Sequence, residues 1–202
     1  MTDWDARYAE SGFAFGTEPN DFLREQAWRI PPGPVLCLAE GEGRNAVWLA
    51  EQGYDVTAMD QSAVGLEKAK RLAGERGVRI TTLVADLDNF DLAPEAWRGI
   101  VSIFAHVLPD VRRRVHAQVP ASLARGGVLL LEAYRPEQIG RGTGGPSDDE
   151  RMMNLERLRA ELPGLEWIVA REVDREVNEG HRHSGMASVV QVVARRHGSP
   201  PG

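Results

Sequence analysis

The sequence predicts an α/β fold: a doubly wound, seven-stranded sheet, mostly parallel, with a C-terminal antiparallel hairpin and helices on both faces. Three observations predict it. Short apolar runs alternate with stretches of helical periodicity, the pattern of parallel strands joined by helical crossovers. A glycine turn, Gly41-Glu42-Gly43, sits between the first apolar run and the first periodic stretch. The last two apolar runs are separated by a polar stretch too short for a crossover helix, so they must pair antiparallel.

Each element has its own signal. Val35-Leu36-Cys37-Leu38-Ala39, bounded by Pro31-Pro32-Gly33-Pro34, is a buried strand. A helix follows from Arg44 to Gln52 and stops at Gly53. Tyr54 to Met59 is the second strand. Ser62 caps a helix carrying Val64, Leu66, Ala69, Leu72 and Ala73, which stops near Gly77. Arg79 to Ala85 and Gly99 to Ala105 are strands three and four. Val111, Val115, Val119 and Leu123 recur at helical spacing, so 110–125 is a helix with a kink or break at Pro120. Gly126-Gly127 ends it, and Val128 to Tyr134 is strand five. A glycine-rich loop, 135–146, leads to a helix capped by Ser147, with Asp148, Asp149 and Glu150 at its positive end. Pro163-Gly164 ends that helix. Leu165 to Val173 and Met186 to Ala194 are the final strands, with 175–184 as the polar loop between them.

The 202 residues suit one domain with an N-terminal helical or lid segment, 1–34, a main domain, 35–197, and a disordered tail, 198–202. Hydrophobic residues at 42% and charged residues at 27% are ordinary for a soluble globular chain. A net charge of −6 argues against nucleic acid or an anionic membrane as partner. Arg112-Arg113-Arg114 reads as a solvated helix face. The single cysteine, Cys37, excludes an internal disulfide and any multi-cysteine zinc site, and lies mid-strand as a buried apolar side chain. The acidic start Met1-Thr2-Asp3-Trp4-Asp5 is no signal peptide. No stretch reaches the roughly 18 apolar residues of a membrane helix. The expectation is a cytoplasmic protein, monomeric or homodimeric, with no membrane partner.

The candidate chemistry lies at successive strand ends, where α/β sheets bind ligands. Gly41 and Gly43 let a ligand approach bare backbone, and the helix beginning at Arg44 offers unpaired N–H groups. Asp60, 19 residues after Gly41, ends strand two and can accept both ribose hydroxyls of a nucleoside. Asp86, after strand three, can accept from an adenine amino group, with Leu87 beside it as apolar packing. His106, after strand four, and Glu132 and Tyr134, in strand five, are candidate bases toward an acceptor. His181-Arg182-His183 lacks a third close ligand for a metal and reads as a solvated hairpin tip.

These residues together resemble the class I S-adenosylmethionine-dependent methyltransferases over roughly 35–195. Gly41-Glu42-Gly43 resembles the family's glycine loop, Asp60 its ribose acid and Asp86-Leu87 its adenine contact. Leu123-Ala124-Arg125-Gly126-Gly127-Val128-Leu129 resembles the approach to strand five. Trp4-Asp5-Ala6-Arg7-Tyr8 with Phe15-Gly16-Thr17-Glu18-Pro19-Asn20 is similar to the opening of small tellurite-resistance and thiopurine-type members. The resemblance implies a Rossmann-like fold and S-adenosylmethionine as cofactor. It implies binding by Glu40, Gly41, Glu42, Gly43, Asn45, Asp60, Gln61, Asp86, Leu87 and Phe104, and a small-molecule methyl acceptor. The chain departs from the family where an acid and a further glycine usually stand. Cys37 and Ala39 occupy those places, leaving Glu40 and Glu42 as the nearby acids that can replace the missing one. Asn45 stands for the third glycine. Two other readings stay open. Gly41-x-Gly43-x-x-Ala46 with Asp60 also satisfies a dinucleotide fingerprint, which fits a nicotinamide-dependent oxidoreductase. A non-enzymatic module that binds S-adenosylmethionine is the other.

Overall fold

The strands form one seven-stranded sheet in the order β3-β2-β1-β4-β5-β7-β6. The structure is a computed structural model and describes residues 3–180 and 183–198. The strands are β1 (Pro34–Leu38), β2 (Asp55–Asp60), β3 (Thr81–Val84), β4 (Trp97–Ile103), β5 (Leu123–Tyr134), β6 (Leu165–Glu179) and β7 (His183–Arg196). The helices are α1 (Trp4–Tyr8), α2 (Asp21–Gln26), α3 (Arg44–Glu51), α4 (Ala63–Glu75), α5 (Pro109–Ser122) and α6 (Leu155–Glu161). Strands β1 to β5 pair in parallel, and β7 pairs antiparallel with both β5 and β6. The order reverses at β1, which makes the crevice beyond β1 and β4 the place for a ligand.

Alternation along the strands divides the core into two layers. Leu36, Ile100, Leu129, Leu131 and Val192 face Val111, Val115 and Val119 of α5 and Leu158 of α6. Val35, Cys37, Val101, Leu130 and Val193 face Phe22 and Leu23 of α2, Leu49 of α3 and Leu66 of α4. Cys37 is fully buried in the second layer.

Three elements differ from the sequence expectation. The charges of 175–184 do not mark a loop. Strands β6 and β7 pair as far as Glu179 and His183, because Val173 and Val177 alternate inward between the polar residues while Glu179 is buried against cations. The helix expected at Ser147 is a single 3-10 turn, Asp149–Arg151, capped by Asp148. Met152 and Met153 then run buried, and the Met153 N–H donates to the Tyr134 carbonyl, so α6 starts only at its Asn154 cap. Strand β5 begins at Leu123, directly after α5, and crosses a register shift opposite Trp97 and Gly99 before Val128. Gly126 there has φ 74°, and a Cβ on Gly127 would sit 2.8 Å from the Ala124 carbonyl. Arg112 is also corrected. It is 4% exposed and grips Glu161 instead of facing solvent. His181, Arg182 and 199–202, the last four residues of the expected tail, lie outside the described residues.

Candidate active site

A cavity of about 690 Å³ opens at the carboxyl ends of β1, β2, β3 and β4. Its floor is the turn after β1. Ala39, Gly41 and Gly43 all take positive φ, at 49°, 63° and 92°. For Ala39 that backbone is strained. A Cβ on Gly43 would lie 2.5 Å from the Ala69 side chain of α4, so glycine is required for packing as well as for conformation. Phe104, leaving β4 on the other side of the crevice, has φ 54°. Two strained non-glycine residues thus end two adjacent strands at the cavity.

The predicted cofactor residues divide by what they touch. Glu40 lines the cavity and turns its Oε1 back onto α3, accepting from the Asn45 N–H at 2.9 Å and the Ala46 N–H at 2.8 Å. Gly43 at the helix N-cap has no side chain to do this. Burial lifts the Glu40 pKa to about 7 against those two hydrogen bonds. Asp60 is 5% exposed and lines the cavity. Its Oδ2 accepts from the Gly41 N–H and its Oδ1 from the Ser62 N–H, each at 2.8 Å. Burial raises its pKa while these N–H groups oppose the rise. Each carboxylate oxygen has acceptor capacity left over. Gln61, Asp86, Leu87 and Phe104 join the lining. Asp86 is exposed and closes an Asx turn onto the Asp88 N–H.

Glu42 and Asn45 also line the cavity, but their side chains bond the N-terminal segment, and Gly41 packs beneath it. Gly41 is covered by Tyr8, whose hydroxyl would clash with a Cβ there. Glu42 accepts from the Ala14 N–H at 2.7 Å and pairs with Lys68 at 2.8 Å. Asn45 accepts from the Asn20 N–H at 2.9 Å. Lys68 also donates to the Glu10 and Gly12 carbonyls, and Asp5 accepts from the Ser62 hydroxyl. Gly16 packs on Gly180 at the β6–β7 turn. Trp4, Arg7, Tyr8 and Phe15 are thereby set into the cavity wall.

The candidate bases are corrected by their surroundings. Glu132 is fully buried under the sheet end, held by Arg175 at 2.7 Å, Gln191 at 2.7 Å and Asn20 at 2.5 Å. Tyr134 is fully buried, its ring stacked on Phe104 at 4.5 Å, and burial pushes its hydroxyl pKa upward. Neither lines the cavity, so neither reaches an acceptor there. His106 does line it, but both ring nitrogens are engaged. Nε2 accepts from the Tyr134 N–H at 3.1 Å, and Nδ1 lies 3.2 Å from the Arg151 carbonyl. Burial lowers its pKa to about 4.

Sequence reasoning missed Asn20, Arg44, Arg175 and Glu179. Glu179 is 5% exposed, and Arg44 at 2.5 Å, Asn20 at 2.7 Å and Arg175 at 3.3 Å surround it. Burial opposes its charge, but Arg44 leads the contacts that hold its pKa down at about 2. The period-two spacing of Val173, Arg175, Val177 and Glu179 was the available signal. His183 lines the cavity and does not stand at a solvated tip.

A family described as "Methyltransferase domain" matches residues 35–127, from β1 to the start of β5. Residues 35–127 are thus similar to a methyltransferase domain, and the chain shares the fold of solved S-adenosylmethionine-dependent methyltransferases. It is 31% identical to the uncharacterized methyltransferase YodH of Bacillus subtilis over 71% of this chain and 59% of YodH. The chain spans 33% to 59% of the length of the curated relatives it matches. The fold is that of TehB from Haemophilus influenzae, with TM-score 0.66 and 19% identity over 96% of this chain and 65% of that one. A protein solved in a study of disulfide-to-thioacetal conversion during echinomycin biosynthesis shares the fold at TM-score 0.77 and 19% identity, over 98% of this chain and 91% of that one.

The cavity fits the family's cofactor. Its volume falls within the range of about 300–1,000 Å³ usual for small-molecule sites. Asp60 and Asp86 stand at successive strand ends with acceptor capacity, and the positive-φ turn leaves the backbone open beneath them.

Proposed function

We propose that this chain transfers the methyl group of S-adenosylmethionine to a small-molecule acceptor. The observation that carries the reading is the cavity itself. It joins the Asp60–Asp86 side to a wall that Trp4, Arg7, Tyr8 and Phe15 of the N-terminal segment and His183 of β7 supply, and its volume suits small molecules. No helix among the described residues is long and apolar enough to cross a membrane.

The bound cofactor supplies an activated methyl on a sulfonium. Asp60 would accept from its ribose hydroxyls and Asp86 from the adenine amino group, while Leu87 packs the base. The α3 N-terminus is already capped by Glu40, so the loop contributes shape and acceptor groups more than free N–H donors. Trp4, Tyr8, Phe15 and Phe104 line the cavity and would exclude water from it and position the acceptor, which would be the protein's main contribution to displacement at carbon.

Calorimetry with S-adenosylhomocysteine and with NAD tests cofactor choice. Heat from the first and none from the second is expected; the reverse identifies a nicotinamide site. An acceptor screen that follows S-adenosylhomocysteine release then separates an enzyme from a binding module.

A further inference from the structure

His183 opens β7 and lines the cavity. Its ring is fixed by three aromatic contacts, to Phe15, Phe104 and Tyr134, at 4.6, 5.1 and 5.4 Å between centroids. Its Nδ1 is buried and has no hydrogen-bond partner among the described residues. The nearest carboxylate oxygen to it is Glu179 Oε2, at 3.9 Å. Arg44, Asn20 and Arg175 prevent Glu179 from swinging away. A carboxylate behind one nitrogen of an imidazole that lines a cavity is the arrangement of an oriented base. Such contacts are often long without ligands and shorten in the reacting complex.

We propose that His183 is the general base of the methyl transfer, oriented by Glu179 as a positioning residue, and that the acceptor is a nucleophile carrying an N–H, O–H or S–H. This rests on the methyl-transfer reading above. The acceptor's lone pair forms the new bond to the methyl carbon, and the carbon–sulfur bond breaks with its electron pair going to sulfur. The acceptor's proton passes to His183 Nε2, and the resulting imidazolium faces Glu179 until it returns the proton to water. The groups facing the ring are Glu179 from β6, Arg44 from α3, Arg7 from α1 and His106 after β4. Burial lowers the His183 pKa, Arg44 and Arg7 add to this, and Glu179 opposes it. The ring is therefore neutral, and able to accept a proton, at neutral pH.

Nitrogen-15 spectroscopy of the full chain reads the tautomer, with His183 assigned through His183→Gln. The expected result is a neutral ring protonated on Nδ1 with Nε2 bare, both alone and with S-adenosylhomocysteine bound. A proton on Nε2 at neutral pH overturns the proposal. Glu179→Gln should lower the His183 titration midpoint further, and the wild-type tautomer decides the matter if that variant does not fold. The activity arm uses matched probes, dimethylamine against trimethylamine and ethanethiol against ethyl methyl sulfide. Turnover of a proton-bearing member, slowed about 100-fold or more by His183→Gln with unchanged S-adenosylhomocysteine affinity, supports the base. Turnover of a fully substituted member, or equal rates in wild type and variant, overturns it. Failure of wild type to bind S-adenosylhomocysteine is a separate calorimetric result and sinks the underlying reading instead.

Discussion

Asp60 does two jobs with one carboxylate. It ties the glycine turn to the start of α4 through the Gly41 and Ser62 N–H groups, and it presents its remaining acceptor capacity to the cavity. Asp60→Asn keeps the size and removes the charge. We expect S-adenosylhomocysteine affinity to fall tenfold or more, since a hydrogen bond to a charged group is worth about 1.5–3 kcal/mol. Unchanged affinity in the folded variant, measured by calorimetry, would place the ribose elsewhere. Glu40 offers a pH test. Its folded pKa, about 7, lies above the ordinary carboxylate value of 4.5. Between those values the folded state binds the proton more tightly than the unfolded one, so the Glu40 contribution favours folding below about pH 4.5. It is lost as pH rises toward 7 and is flat above. The stability difference between wild type and Glu40→Gln in urea should therefore move against wild type across that window. A difference that stays constant there would show that Glu40 is not buried as described.

At the scale of elements, polar residues inside the fold decide where strands and helices meet. Arg112 of α5 clamps Glu161 at the end of α6, with His116 beside them at 2.6 Å. Burial works against the Glu161 charge, but the His116 and Arg112 hydrogen bonds outweigh it and hold the pKa at about 2. This depressed value contributes stability above pH 4.5 that is lost as pH falls toward 2. Glu161→Gln should cost about 3 kcal/mol at neutral pH, because it leaves a buried guanidinium without its counter-charge. Urea unfolding measures it, and a loss under about 1 kcal/mol would show the clamp to be solvent-screened. The β6–β7 hairpin follows the same logic. Its charges looked like a loop in one dimension because Arg175 and Glu179 are polar. They belong to strands because Glu132 and Arg44, distant in sequence, receive them.

At the scale of the molecule, the N-terminal segment is docked by bonds to α3, α4 and the β6–β7 turn. Two of its backbone N–H groups donate to buried side chains, Ala14 to Glu42 and Asn20 to Asn45. We expect slow amide exchange at Ala14 and Asn20 without any ligand, as for groups that open only with a larger unit. Fast exchange at both, slowed by S-adenosylhomocysteine, would instead make the segment a lid that orders on binding. The aromatics Trp4, Tyr8 and Phe15 precede the first strand, so the sheet does not need them for its core, yet they complete the cavity wall.

Apolar periodicity, glycine punctuation and strand-end acids were enough to determine the sheet, its terminal hairpin and the acids that line the cavity. All of these depend on neighbours close in sequence, or on the general rule that α/β sheets bind at carboxyl ends. Asp60 and Asp86 were legible for that reason. The fates of Glu132, Tyr134 and His183 were not. All three are polar or aromatic residues near the end of the sheet, and nothing in a one-dimensional pattern distinguishes them. Only the tertiary structure buries Glu132 among Arg175, Gln191 and Asn20 and seals Tyr134 beneath Phe104. It also brings His183 from the far end of the chain to the cavity beside Glu179. Whether a carboxylate or an imidazole is free to react depends on its surroundings, and Asn20 and Arg175 around Glu132, like Phe15 and Phe104 around His183, are distant in sequence.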